Sequence, residues 1–500
     1  MIALSVMTAT FMVVLDTSVA TVALPHIAGN LSASTDEATW VLTSYLVSNA
    51  IMLPATSWIT GRIGRKRLLV LSIVLFTVAS LFCGLAINMP MLILARILQG
   101  IGGGGMQPLA QAILLESFPP REQGMAMAVY GVGIVVAPVI GPTLGGWITD
   151  SYSWRWIFYI NLPVGVLALF LAGLYIEDPP YIRRTLRGAI DYLGFAFMAL
   201  WLGSLQLMLD KGQESDWFGA VWIRWTVFLS LAAFLCFLVR EMRCHDPIVQ
   251  LHILGNRNFL VGTLITAIFG FVLYGVTAIL PLFLQTVLGY PALDSGLAVS
   301  PRGIGSMLAM VVVGGLTARL DGRWLLAAGL FIFGISTLML SRLNLDIAMT
   351  SVIVPCTING FGGGFVFVPL TTMAMGRLRR EEIGNASGIY NLMRNIGGSI
   401  GIAIATTMLV RRSQTHQTYL GAHLTAGAGT ASGIIAGLEA KLRLSGFDAF
   451  TAHHMAVGAI YRMVEQQASL LAYVDNFRLM GYFALLSMPL VLFFQRVGKH

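Results

Sequence analysis

Fourteen runs of mostly apolar residues, most of them about 18–25 residues long, divide this 500-residue chain. A run of that length crosses the ~30 Å hydrocarbon core of a bilayer when it is helical. The runs fall at 3–25, 39–60, 68–87, 90–114, 123–148, 155–176, 190–209, 219–239, 258–284, 293–317, 324–341, 346–370, 384–410 and 478–496. Inside hydrocarbon the backbone must satisfy its own hydrogen bonds, which leaves only helices and closed barrels. The runs lack the ~10-residue alternation of barrel strands. An all-α integral membrane protein with about fourteen transmembrane helices is therefore expected. Composition agrees, with 56% hydrophobic residues, 11% charged residues and a mean hydropathy of +0.78, against about 25% charged in a soluble domain.

The net charge of +8 sits in short connections, so it does not point to nucleic acid. Arg62, Arg65, Lys66 and Arg67 follow the second run in "GRIGRKR". Arg240, Arg243 and Arg257 follow the eighth, and Arg377, Arg379 and Arg380 the twelfth. The connection after the first run holds Asp36 and Glu37, and "AINMP" after the third holds no charge. Basic loops stay in the cytoplasm, so even-to-odd connections and both termini are expected there. The first run has no basic leader and is too long for a signal segment, so it reads as a span. Cys83, Cys236, Cys244 and Cys356 are scattered without CxxC spacing, so no disulfide framework or zinc site is expected.

One connection is long. Residues 411–477 carry Glu439, Lys441, Arg443, Asp448, Arg462, Glu465 and Asp475 among apolar residues at helical spacing, the pattern of one or two amphipathic helices. They either cap the outer face or dock a partner outside the membrane. His453 and His454 lie here, but adjacent helical residues point apart, and no metal site is expected. The chain has no GxxxxGK[ST], HExxH or GxSxG motif, so neither an internal ATPase nor a membrane enzyme has support.

The chain also repeats itself. "ILQGIGGGG" at 97–105 returns as "TINGFGGGF" at 357–365, and "GRIGRKRLL" at 61–69 returns as "ARLDGRWLL" at 318–326. Two matches at nearly the same shift, 260 and 257 residues, indicate two parallel six-span halves with two extra spans between them: 1–188, then 189–245, then 246–500 with the 411–477 loop. Repeats of this kind build alternating-access transporters, with substrate at the interface between halves.

Polar residues inside spans are costly and mark function by default. Asp16 sits in the middle of "MTATFMVVLDTSVATVALP", ~20 Å into its helix, where burial penalises an ionised carboxyl. It is either a structural acid bonded to a neighbouring helix or a proton carrier. Arg96 in span 4 either pairs with a carboxylate or reaches the interface. Arg302 follows Pro301 near the outer start of span 10, and Arg394 on span 13 lies near Asn391 and Asn395. With more cations than acids in the spans, substrates need not be multivalent cations. Tyr45, Asn49, Met106, Gln107 and Tyr130 are candidates to line a cavity or to pack the core. Span 5 places Gly133, Ala137, Gly141 and Gly145 four residues apart, a stripe that lets helices approach closely, with Gly146 following it. Pro138 and Pro142 bend that span.

These motifs resemble the major facilitator superfamily, and within it the fourteen-span EmrB/QacA drug:proton antiporters of EmrB type. The residues concerned are "LDTSVATVALP" (15–25), "RILQGIGGG" (96–104), "APVIGPTLGG" (137–146), "WRWIFYINLPVG" (154–165) and "LQLMLDKGQESDWF" (205–218). The resemblance implies a major facilitator fold and a proton-driven exporter of diverse amphipathic toxic compounds in a bacterial inner membrane. It implies proton coupling through Asp16 and Arg96, no cofactor beyond the proton gradient, and a bendable seal at span 5. It also implies an EmrA-like periplasmic adaptor and a TolC-type outer-membrane channel. Alternatives are a dedicated exporter of a fatty acid or amino acid, and a sensor or scaffold that no longer transports. One departure stands out: the superfamily's acid before the first arginine of loop 2–3 is Gly61 here, so that loop's charge pairing is not carried over.

Overall fold

A computed structural model describes residues 1–178, 191–244, 247–317, 319–426 and 428–495. The expected domain boundaries, after residues 188 and 245, lie outside the described residues. The helices run α1 Ile2–Asn30, α2 Thr35–Ile63, α3 Arg65–Gly84, α4 Met89–Gly104, α5 Met106–Ser117, α6 Pro120–Ser151, α7 Trp156–Tyr159, α8 Asn161–Tyr175, α9 Tyr192–Lys211 and α10 Val221–Arg243. They continue as α11 Arg257–Leu282, α12 Ala292–Val299, α13 Pro301–Leu316, α14 Gly322–Leu340, α15 Thr350–Met375, α16 Arg380–Ala426, α17 Ala428–Leu444 and α18 Ala449–Leu486. Several starts are capped as their sequences dictate. Ser34 and Glu37 form a reciprocal capping box on α2, and Asn88, Asp191, Asn256, Asp321 and Asp448 each accept from a first-turn N–H.

Twelve helical segments among the described residues are long and apolar enough to cross a membrane. The second and fourth expected spans are not among them. Thr39, Thr43, Ser44, Ser48, Thr56, Ser57 and Thr60 dilute α2. The fourth is split at Gly105 into α4 and α5.

The last two spans differ from expectation. The helix expected at 384–410 runs on to Ala426, and the one expected at 478–496 belongs to α18, which starts at Ala449 and is followed by a tight turn of helix at Met488–Phe493. Much of the expected loop is thus a helical extension of its flanking spans. Ala468, Leu470, Ala472, Tyr473, Val474, Asn476 and Phe477 are already buried. Asp475, one of the charges that assign this stretch to the connection, is met by His416 of α16 at 2.9 Å and by Arg412 at 3.8 Å. Beyond the bundle, His453 of α18 bonds Glu439 of α17 at 3.2 Å. That bond, and Arg443, hold the Glu439 carboxyl below its usual range.

The sequence repeat is a repeat of contacts. A methyl on Gly102 would come within 2.7 Å of the Phe76 backbone N on α3, and one on Gly362 within 2.6 Å of the Phe333 backbone N on α14. Gly104 lies equally close to the Asn49 carbonyl of α2 (2.6 Å), and Gly364 to the Ser306 carbonyl of α13 (2.8 Å). Gly100 abuts the Tyr45 carbonyl (2.5 Å), and Gly360 abuts the Arg302 carbonyl. Each pair of glycines is 260 residues apart, and each pair of neighbours 257. Helices rich in glycine are weak by propensity; these persist because their neighbours' backbones sit against them.

The repeats meet where α6 packs on α13 and where α2 and α5 pack on α16. The extra pair α9 and α10 lies on the rim, with α9 against α2 and α16. Trp222, Trp225, Phe228, Leu231 and Leu235 of α10 point outward.

Candidate functional site

Asp16 is 2% exposed and fully engaged. Its Oδ2 accepts Arg96 Nη1 at 2.6 Å, and its Oδ1 accepts Asn161 Nδ2 at 2.6 Å and Gln99 Nε2 at 2.9 Å. Arg96 also donates Nε to the Val41 carbonyl (3.0 Å) and Nη1 to Gln99 Oε1 (2.7 Å). Its guanidinium lies 4.4 Å from the Tyr45 ring centroid and 5.6 Å from that of Phe158. Asn161 Nδ2 reaches Ser80 Oγ at 3.0 Å, and Ser80 donates to the Phe158 carbonyl at 2.8 Å. One carboxyl group thus ties α1 to α4 and α8, and through their partners to α2 and α3.

Buried charges persist when paired and hydrogen-bonded, and all three of Asp16's donors come from elsewhere in the chain. Arg96 is the partner the sequence names first. Gln99, one helical turn on, could have been found from its i+3 spacing to Arg96. Asn161 and Ser80 carry no such signal. Two buried atoms of this site, Arg96 Nη2 and Asn161 Oδ1, make no hydrogen bond among the described residues.

A second polar cluster joins the repeats. Arg394 of α16 donates Nη2 to Gln107 Oε1 of α5 and to Asn391 Oδ1, both at 2.7 Å. Asn391 Nδ2 donates to Gln111 Oε1 of α5 at 2.7 Å. Asn395, next along α16, is half-buried and takes no part in these bonds. Tyr130 of α6 and Met106 are fully buried, and Tyr45 packs beneath Arg96. Asn49 is half-buried beside Gly103. Arg302 donates Nη1 to Thr277 Oγ1 at 2.7 Å.

The small stripe of α6 faces α1: Gly133 abuts Met7, Gly141 abuts Ser18, and a methyl on Gly145 would lie 2.9 Å from Val19. Ala137 is buried with them, and a methyl on Gly146 would lie 4.0 Å from Val22, an ordinary contact. The contact with α13 uses another face of the same helix, where Gly124 meets Thr317, Gly131 meets Met310, and Val139 meets Gly303. Pro138 and Pro142 lie inside the helix between these contacts.

The basic loop regains its missing acid from a distance. Asp178, at the end of the sixth span, accepts the backbone N–H of Arg65 (2.7 Å) and Lys66 (2.8 Å), capping α3 beside Gly64, whose φ is +90°. Arg65 forms a two-pronged pair with Glu116 of α5 at 2.6 and 3.0 Å. Arg62 stacks on Trp58 at 3.9 Å, Lys66 Nζ donates to the Gly173 carbonyl at 2.7 Å, and Arg67 is exposed. A cleft of about 580 Å³ opens at this basic end between the repeats, lined by Thr56, Thr60, Arg65 and Ala112 on one side and by His252, Arg379, Glu382 and Gly384 on the other. Among the described residues no group of three His, Cys, Asp or Glu side chains is placed to hold a metal.

Comparisons with known proteins agree with this architecture. The sequence profile of the Major Facilitator Superfamily matches residues 6–402. The chain is similar to the fatty acid resistance protein FarB of Neisseria gonorrhoeae, with 37% identity over 428 residues, 85% of this chain and 83% of that one. It is similar to the multidrug export protein EmrB of Escherichia coli K12, with 37% identity over 415 residues, 82% of this chain and 80% of that one. It also matches the colistin resistance protein EmrB of Acinetobacter baumannii, with 28% identity over 491 residues, 98% and 95% of the two chains. Among solved structures, the human organic anion transporter MFSD10 (TETRAN) superposes with a TM-score of 0.61 at 14% identity, covering 96% of this chain and 99% of that one; this likeness shows the fold alone.

Proposed function

Since this chain belongs to the Major Facilitator Superfamily, a family of membrane transporters rather than enzymes, we propose that it exports structurally diverse amphipathic drugs and toxic compounds in exchange for protons. The reading draws on the multidrug export relatives. The observation that carries the coupling is the buried Asp16–Arg96 pair with its amide partners. A carboxylate held by three donors from two helices changes its grip when it takes a proton: the charge that holds Arg96 disappears, and α1 and α4 are no longer bound by it. A group whose protonation alters interhelical bonds shifts the balance between two arrangements of the bundle. Residues 1–188 and 246–500 are the two halves that rock, with 189–245 as the peripheral pair. Their contacts at α6–α13 and α2–α16 close or open access to the centre.

Substrate enters from the cytoplasm or inner leaflet through the cleft at the basic end, where Gln107, Asn391 and Arg394 lie deeper. The basic loops and both termini are cytoplasmic, in the inner membrane of a bacterium. Purified protein in proteoliposomes with an imposed pH gradient should release protons in response to several chemically unrelated amphiphiles, and these should compete with one another. Response to one chemical class only would overturn the multidrug reading. It would favour the second reading, a dedicated fatty-acid exporter, which the equally similar fatty acid resistance relative supports.

The α17–α18 hairpin serves as the docking surface for a periplasmic adaptor, which in turn meets an outer-membrane channel. It exposes Leu444 (91%), Phe450 (72%) and Tyr461 (57%), whose burial against a partner is favourable. Replacing the three with serine should abolish copurification with the adaptor while leaving transport in vesicles intact; retained copurification removes this role.

A further inference from the structure

Arg394 is a cation inside a span that pairs with no carboxylate among the described residues. It lies fourteen residues from the start of α16, ~21 Å along the helix in a hydrocarbon layer of ~30 Å. It is 9% exposed. The other acids in or beside the spans lie with other groups: Asp16 with Arg96, Glu116 with Arg65, Asp191 with Arg240, Asp210 with the Thr43 hydroxyl, and Glu241 with the Val249 backbone N–H. Arg394's own partners are two neutral amide oxygens. An unpaired charge at this depth is expensive, and no carboxylate among the described residues pairs with it.

The donor inventory points the same way. Gln107 Oε1 and Asn391 Oδ1 are taken by Arg394, and Gln111 Oε1 is taken by Asn391. What remains is a surplus of donors. A guanidinium has five N–H groups, and the bonds of Arg394 run through Nη2 alone. Gln111 Nε2 is buried and without a partner among the described residues. The cleft from the basic end reaches Ala112, beside Gln111 in sequence, and Gly384, two helical turns before Asn391, and stops short of the donors themselves.

We propose that Arg394, with Gln111 beside it, is an anion subsite that receives the negatively charged head of an amphipathic substrate, a carboxylate or sulfonate. The inference deepens the export reading and rests on it for the direction of transport, but binding at the subsite is measured separately. Guanidinium–oxyanion bonds are charge-assisted and geometrically specific, and the amphiphile's tail is left to the apolar walls of the bundle. The Gln107 and Asn391 bonds orient the guanidinium across the gap between α16 and α5.

The test compares two permanently charged amphiphiles with the same tail, dodecanesulfonate and dodecyltrimethylammonium, binding to the full chain in phosphatidylcholine nanodiscs. Arg394→Gln should weaken sulfonate binding by about tenfold or more, the loss of a charged hydrogen bond, and leave ammonium binding unchanged or tighter. Arg394→Lys should retain most of the sulfonate preference. Gln111→Glu keeps every bond of Arg394 and supplies an internal counter-ion, so it should weaken the sulfonate selectively even if Arg394→Gln fails to fold.

Equal losses for both amphiphiles, or none for either, overturn the subsite. Competition by added phosphatidylglycerol in the wild type but not in Arg394→Gln would assign the anion to a lipid headgroup and overturn the substrate assignment. Selective sulfonate binding without pH-driven flux of either compound would support the subsite while removing the export reading.

Discussion

Asp16→Asn protein in proteoliposomes should move no drug against its gradient when a pH difference is imposed, yet should still exchange labelled for unlabelled drug across the membrane. The side chain keeps its shape but no longer carries an exchangeable proton at that position, so coupling is lost while the path is not. The substitution also strands Arg96 in a site where it is 0% exposed. Breaking a buried pair by removing one partner costs about 3–5 kcal/mol, so a fall in melting temperature accompanies the functional loss and must be separated from it. The double change Asp16→Asn with Arg96→Gln removes both charges and replaces them with amides able to bond Gln99, Asn161 and the Val41 carbonyl. It should recover most of the stability and none of the coupling. Undiminished drug-driven proton flux in Asp16→Asn would remove Asp16 from the coupling step.

Gly360→Ala should largely abolish folded protein, whereas Gly363→Ala, three residues on, should be neutral or slightly stabilising. At Gly360 a methyl would overlap the Arg302 backbone carbonyl, which cannot rotate away. At Gly363 the nearest atoms lie 3.9 Å from the same methyl, ordinary contact. Separating α13 from α15 by enough to admit the first methyl disturbs a whole helix interface, at a cost of about 3 kcal/mol or more. The second replaces glycine with the best helix former, worth up to about 1 kcal/mol. Size-exclusion profiles and melting temperatures in detergent report both. Equal behaviour of the two variants would mean that the close packing of the glycine repeat does not hold the bundle together.

Legibility from sequence follows the range of the interactions. Twelve helices were readable because each carries a bilayer-length apolar run and satisfies its own backbone, whereas α2 and the split α4–α5 fall short of that test. Boundaries were less so. The sequence assigns the stretch at 468–477 to the long connection because its charges extend to Asp475, which His416 and Arg412 meet once α16 and α18 pack together. The span 5 stripe was visible as spacing, but spacing does not say which neighbour fills it. The structure seats it on α1 and gives the α13 contact to Gly124, Gly131 and Val139. The absent acid of the basic loop could not be found locally, because Asp178 reaches Arg65 from the end of another span.

The sequence by itself determined the membrane environment, the helical class and the internal repeat, since these depend on residue type and local period. It also marked Asp16, Arg96 and Arg394 as charges needing an explanation. Tertiary structure alone decided which explanation each receives. Helix packing delivers Arg96, Gln99 and Asn161 to Asp16 from positions 80 or more residues away, while giving Arg394 only neutral amides. A buried charge is stable or reactive according to its neighbours in space, and those neighbours are set by the packing of whole helices rather than by the residues beside it in the chain.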